Sequence, residues 1–108
     1  MGKAIALLLV LCLSIPAHAG FMTGNTLLSS MRSDELFKRA YAIGFILGVH
    51  DVYEDEVICS GANVTGGQLR DIVRKFLEEN PNERDMPAHL LILISLSKAF
   101  PCRNRNQS

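Results

Sequence analysis

CSGANVTGGQLRDIVRKFLEENP, residues 59–81, is the stretch on which the fold turns. Its Thr65-Gly66-Gly67 reads either as a cradle for a phosphate or as the entry to a helix beside a cysteine. A phosphate-binding loop carries a Gly-Lys-Ser/Thr ending, or follows a strand with a longer glycine pattern. Neither is present. Thr65 followed by Gln68 is instead a capping box, in which each side chain satisfies the other residue's backbone N–H. Val64 before the cap and Leu69 at the fourth helical position form the accompanying hydrophobic staple. Leu69, Ile72, Val73, Phe76 and Leu77 then recur at the spacing of one apolar helix face. Asp71 with Lys75, Arg74 with Glu78, and Lys75 with Glu79 are opposite charges one turn apart on the outer face. Asn80-Pro81 closes the helix, because the residue before proline leaves the helical region.

Upstream the spacing is helical as well. A short helix is expected over Asn25–Arg32, with Leu27, Leu28 and Met31 on one side. Ser33 and Asp34 are cap residues for a second helix over Asp34–Glu54. Its centre, AYAIGFILGV (residues 40–49), is apolar on every side, which predicts a core helix buried all round. That centre is too short to span a bilayer. Ala40, Gly44 and Gly48 recur every fourth residue. Each interior glycine costs about 1 kcal/mol against alanine. Close approach by another helix, from this chain rather than from a second subunit, is the expected compensation. Downstream, Pro87 stands at a favoured first helical position. A last helix over Ala88–Phe100 follows, and Pro101 stops it. Its LLILISL run (residues 90–96) could pass for a strand, but its length, leucine content and flanking prolines favour a helix.

The opening residues set the compartment. Met1-Gly2-Lys3 is a short basic start, Ala4 to Ile15 is apolar apart from Ser14, and Ala17-His18-Ala19 places small residues before a cut. That is the layout of a secretory signal peptide over residues 1–19, cleaved between Ala19 and Gly20. Residues 20–108 then form a single domain, and Cys12 leaves with the leader. Cys59 and Cys102 remain, and an even count in an exported chain predicts a disulfide. A link of that span is worth about 4 kcal/mol by chain entropy, a large share of a total of about 5–15 kcal/mol. The expected architecture is all-α: a compact four-helix domain stapled by one disulfide.

The full chain carries 11 basic and 11 acidic side chains, and losing Lys3 leaves it slightly acidic. That balance argues against nucleic-acid or membrane-surface binding, which need a basic excess. His50 and Glu54, one turn apart, could reach one metal ion, but zinc sites take three or four protein ligands and no third is evident. His89 with Ser95 and Ser97 lacks the orienting group and oxyanion site of a hydrolase. Oxidised cysteines leave no thiol nucleophile. No catalytic residue, cofactor or metal site is therefore expected, and a module that binds another protein remains. Its candidate contacts are the acidic loop Glu54, Asp55 and Glu56, and the turn Asn80–Met86 with the charges Glu83, Arg84 and Asp85.

These residues carry a family resemblance. FMTGNTLL (residues 21–28), GFILGVHDVY (residues 44–53) and the C…VTGGQLRDIVRKFLEENPNERDMPAHLLI…AFPC block resemble the Rap/Tai immunity proteins. The third-helix block and its spacing to AFPC are the specific part. The resemblance implies a helical, often dimeric, periplasmic protein of type VI secretion. Such a protein has no catalytic activity. It binds a peptidoglycan amidase toxin and blocks its active-site cleft. Cys59 and Cys102 match the family's cysteines before the third helix and after the last. Family members often carry another pair, and here Met31 and Ala42 occupy those places, so the first helix lacks that tether. The runner-up reading is a small periplasmic acid-stress chaperone of the HdeA kind, also helical and held by one disulfide.

Overall fold

The computed structural model describes residues 22–103. The expected leader and its Ala19–Gly20 cut lie outside them. Four α-helices follow in order: α1 Gly24–Met31, α2 Leu36–Tyr53, α3 Gly66–Glu79 and α4 Ala88–Ala99. A short 3-10 turn, Pro81–Glu83, joins α3 to α4. Among the described residues the only sheet-like pairings are two isolated bridges, Thr23 with Pro87 and Glu54 with Ile58. The fold is the expected all-α four-helix domain.

The α3 helix forms for the reasons legible in its sequence. Thr65 Oγ1 accepts from Gln68 N at 3.1 Å, and Gln68 Oε1 accepts from Thr65 N at 2.8 Å. Leu69, Val73 and Leu77 are buried, while Ile72 and Phe76 pack half-buried at the edge of the core. Arg74 pairs with Glu78 at 3.0 Å and Lys75 with Glu79 at 4.0 Å. Asp71 departs from expectation: it pairs with its neighbour Arg70 at 3.0 Å, not with Lys75. Asn80 Nδ2 donates to Phe76 O at 2.9 Å, satisfying a carbonyl that the helix end leaves orphaned.

The α1 helix starts one residue earlier than expected because Thr23 caps it, its Oγ1 accepting from Thr26 N at 3.2 Å. The tether expected to be missing is supplied by backbone. Gly24 N donates to Met86 O at 3.0 Å, Asn25 N to Arg84 O at 2.8 Å, and Ala88 N to Met22 O at 2.7 Å. These bonds satisfy the open amides of the helix start. They also bring two chain segments so close that a Cβ at residue 24 would collide with Leu91 and lie 3.0 Å from Arg84 O. Met31 and Ala42 are both in the buried core.

The α2 helix brings the main correction. It is not buried all round. Only Ala42 and Ile46 are buried, while Leu36, Phe37, Tyr41 and Val52 are 73, 78, 54 and 65 % exposed. A Cβ at Gly44 or Gly48 would meet nothing within 4 Å, so among the described residues no helix approaches the small-residue stripe. Three short partners can cover only one flank of an 18-residue helix. The helix turned inward is α4, whose Ala88, Leu91, Ile92 and Leu96 are all 0 % exposed. The expected caps of α2 also differ. Ser33 Oγ accepts from Glu35 N at 3.1 Å and Arg39 Nη1 donates to Ser33 O at 2.7 Å, while Glu35 holds the cap position without a side-chain bond. Pro87 likewise stands just before α4 rather than in its first turn, and Phe100 just after it.

Cys59 and Cys102 are bonded, with Cα atoms 5.0 Å apart. Beside the bridge, Cys59 N donates to Phe100 O at 2.9 Å, and Ile58 is fully buried. The end of α4 is thus fastened to the loop between α2 and α3. No described helix is long and apolar enough to cross a membrane.

Candidate partner-binding surface

The loop after α2 is built on Glu54. Its backbone N–H completes the helix by donating to His50 O at 2.8 Å, and Asp55 then takes a left-handed φ of 68° to reverse the chain. The reversal returns Ser60 to the helix end. Ser60 Oγ donates to Glu54 Oε2 at 2.8 Å, Ser60 N to the same oxygen at 3.3 Å, and Gly61 N to Glu54 Oε1 at 3.0 Å. His50 Nε2 lies 2.9 Å from Glu54 Oε2 and 2.8 Å from Ser60 Oγ. A carboxylate only accepts and the single Ser60 hydrogen is already committed, so His50 donates from Nε2. Burial alone pushes the Glu54 pKa up. The Ser60 hydroxyl, the Gly61 and Ser60 amides and the His50 ring outweigh it, and the carboxyl ends below its ordinary 4.5.

The acidic trio predicted as a contact therefore divides. Glu54 is structural and half-buried, whereas Asp55 and Glu56 are exposed at the tip of a loop whose base is clamped. The His50–Glu54 pair meets as its spacing allows, but its ligating atoms are engaged with each other and with Ser60. Among the described residues no three His, Cys, Asp or Glu side chains converge on a metal position.

The second predicted contact, the turn before α4, is held to α1 by the carbonyls of Arg84 and Met86. Asp85 is exposed, while Glu83 and Arg84 are half-buried. Arg84 Nε is buried and has no acceptor among the described residues. The Ser95 hydroxyl donates to Ile92 O at 3.0 Å and the Ser97 hydroxyl to Ile94 O at 3.1 Å. Both serines thus serve their own helix, and neither pairs with His89.

A third surface escaped the sequence reading. The uncovered side of α2 forms a shallow apolar groove of about 470 Å³, lined by Gly44, Gly48, Val52 and Tyr53 with His89 from α4. Phe37 and Tyr41 extend the same exposed side toward the helix start. The sequence signal for it is the Ala40, Gly44, Gly48 repeat, whose expected neighbour within the chain is not found among the described residues.

The family model of the Rap1a immunity proteins matches residues 23–102. No curated protein matches the chain. The matched span runs from Thr23, which caps α1, to Cys102, the second cysteine of the bridge, and so takes in every described helix and both candidate loops. The chain belongs to the Rap1a immunity protein family.

Proposed function

We propose that this chain is an exported immunity protein. With residues 1–19 removed, it acts in the periplasm by binding a peptidoglycan amidase delivered by type VI secretion. It blocks that enzyme's active-site cleft and spares the producing cell. The observation that carries the reading is the family match over residues 23–102. The oxidised Cys59–Cys102 pair fits an oxidising compartment. The protein acts by occupancy rather than catalysis, for which a rigid contact surface is the main requirement, because ordering loops on binding weakens affinity. The Asp55–Glu56 loop tip on its Glu54 clamp, and the Glu83–Asp85 turn bonded to α1, meet that requirement.

A second copy of the chain is the proposed occupant of the open α2 face. Gly44 and Gly48 permit close backbone approach, and the same stripe on two copies can pair about a two-fold axis. A homodimer would cover Phe37, Tyr41 and Val52, which the monomer leaves exposed.

The test is co-expression with an exported amidase encoded in the adjacent reading frame. Co-purification of the two proteins, together with survival of cells that carry the amidase in the periplasm, is expected. Separate elution and continued lysis would overturn the reading.

A further inference from the structure

The connection from α1 to α2 runs between two hollows, which share only Arg84 with the candidate contacts. The first, about 510 Å³, is lined by Arg32, Lys38 and Arg84, with Asp34 its one carboxylate. The second, about 350 Å³, is lined by Arg39, Arg70 and Arg74 together with Leu36 and three other apolar residues. Six cationic side chains thus face a single lining carboxylate. Acidic Asp51, Glu54, Asp55 and Glu56 lie at the far end of α2, whose 18 residues separate the two poles by about 27 Å. The near-zero net charge conceals this polarity.

Carboxylates around the hollows hold these cations lightly. Lys38 is 3.7 Å from Glu35 and Arg32 is 3.7 Å from Glu78, whereas Arg70 and Arg74 are bonded to Asp71 and Glu78 at 3.0 Å, and all of these side chains are substantially exposed. Exposed pairs of this kind are worth about 0–1 kcal/mol, so an incoming carboxylate can exchange with them readily. Glu78 also shows how the surface seats such a group. Its Oε1 lies between Arg32 of the first hollow and Arg74 of the second, 3.7 and 3.0 Å away. Arg84 also lines the first hollow, and its buried Nε–H has no acceptor among the described residues. A lone phosphate would satisfy the charges but leave Leu36, 73 % exposed, without a counterpart.

We propose that the paired hollows dock an acidic segment of a partner protein, with carboxylates on Arg32, Lys38 and Arg70 and one apolar side chain against Leu36. The inference rests on the toxin-binding reading only for the identity of that partner.

The test is an amide-shift titration of the labelled protein with a synthetic Glu-Glu-Leu-Phe-Glu-Glu peptide. The same peptide with glutamines, and inorganic phosphate alone, are the comparisons. Shifts confined to residues 31–39, 70–74 and 84 are expected. Affinity should fall about tenfold or more in Lys38→Glu/Arg70→Glu, as loss of charge complementarity requires. A milder Lys38→Gln/Arg70→Gln protein should show a smaller loss, and unchanged melting establishes that both variants fold. Equal binding of the glutamine peptide, shifts on the Gly44–Val52 face, the same shifts with phosphate alone, or no shifts at all would each overturn the proposal. Amidase inhibition is measured in parallel. Inhibition without peptide binding removes the docking surface and keeps the inhibitor reading, whereas peptide binding without inhibition does the reverse.

Discussion

Ser60 Oγ donates to Glu54 Oε2 at 2.8 Å, joining the last turn of α2 to the segment that leaves the disulfide at Cys59. The candidate contact residues Asp55 and Glu56 lie between these two anchors. The clamp therefore fixes the shape that the loop presents to a partner.

Because the Glu54 carboxyl is held below 4.5 when folded, it contributes stability at pH values above 4.5. That contribution is lost as pH falls through the lowered folded value, where the proton returns to the folded state as well. Near neutral pH, Glu54→Gln is expected to be less stable by about 1–3 kcal/mol, the scale of a hydrogen-bonded charge. The gap should close on acidification, as urea midpoints across a pH series will report. Parallel profiles for the two proteins would contradict this role.

Replacing both bridge cysteines, Cys59→Ser with Cys102→Ser, should lower stability by about 4 kcal/mol. The same loss should appear when a reductant is added to the wild type, and the variant should be indifferent to it. Thermal melts with and without reductant make the comparison.

Two glycine-to-alanine changes should act with opposite sign. Gly24→Ala forces a Cβ against Leu91 and the Arg84 backbone, and is expected to destabilise by about 1–3 kcal/mol. Gly44→Ala meets open space and gains helix propensity, and is expected to stabilise the monomer by up to about 1 kcal/mol. Equal and unfavourable effects at both positions at concentrations where the protein is monomeric would mean that α2 is covered from within the chain after all.

Thr65→Ala removes one half of the capping box. A loss of about 1 kcal/mol is expected, with hydrogen exchange accelerated in the first turn of α3.

The parts of the fold that the sequence announces are those decided locally. The Thr65–Gln68 box, the Leu69–Leu77 face and the Asn80-Pro81 stop each involve residues within a turn or two of one another. The bridge was legible by count, since Cys59 and Cys102 are the two cysteines outside the expected leader and have one pairing to make. The burial of α2 was not legible. Apolar composition on every side says that exposure is unfavourable, not which neighbour relieves it, and the Gly44–Gly48 stripe fits a helix from either source. The clamp was half visible in the His50–Glu54 spacing. Ser60 joins them only because Asp55 turns the chain back; aspartate tolerates the left-handed region better than most residues, but the sequence does not single out Asp55 among its neighbours for it. The basic hollows were hidden for a similar reason: Arg74 reads as an outer-face partner of Glu78 on α3, and only packing sets it and Arg70 beside Arg39 of α2.

The central claim is that this protein silences an enzyme by binding it. Titrating the purified protein into a peptidoglycan-hydrolysis assay of the proposed amidase partner tests that claim most directly. The account predicts that hydrolysis falls to background at stoichiometric amounts. Full hydrolysis in large molar excess of the protein would contradict it.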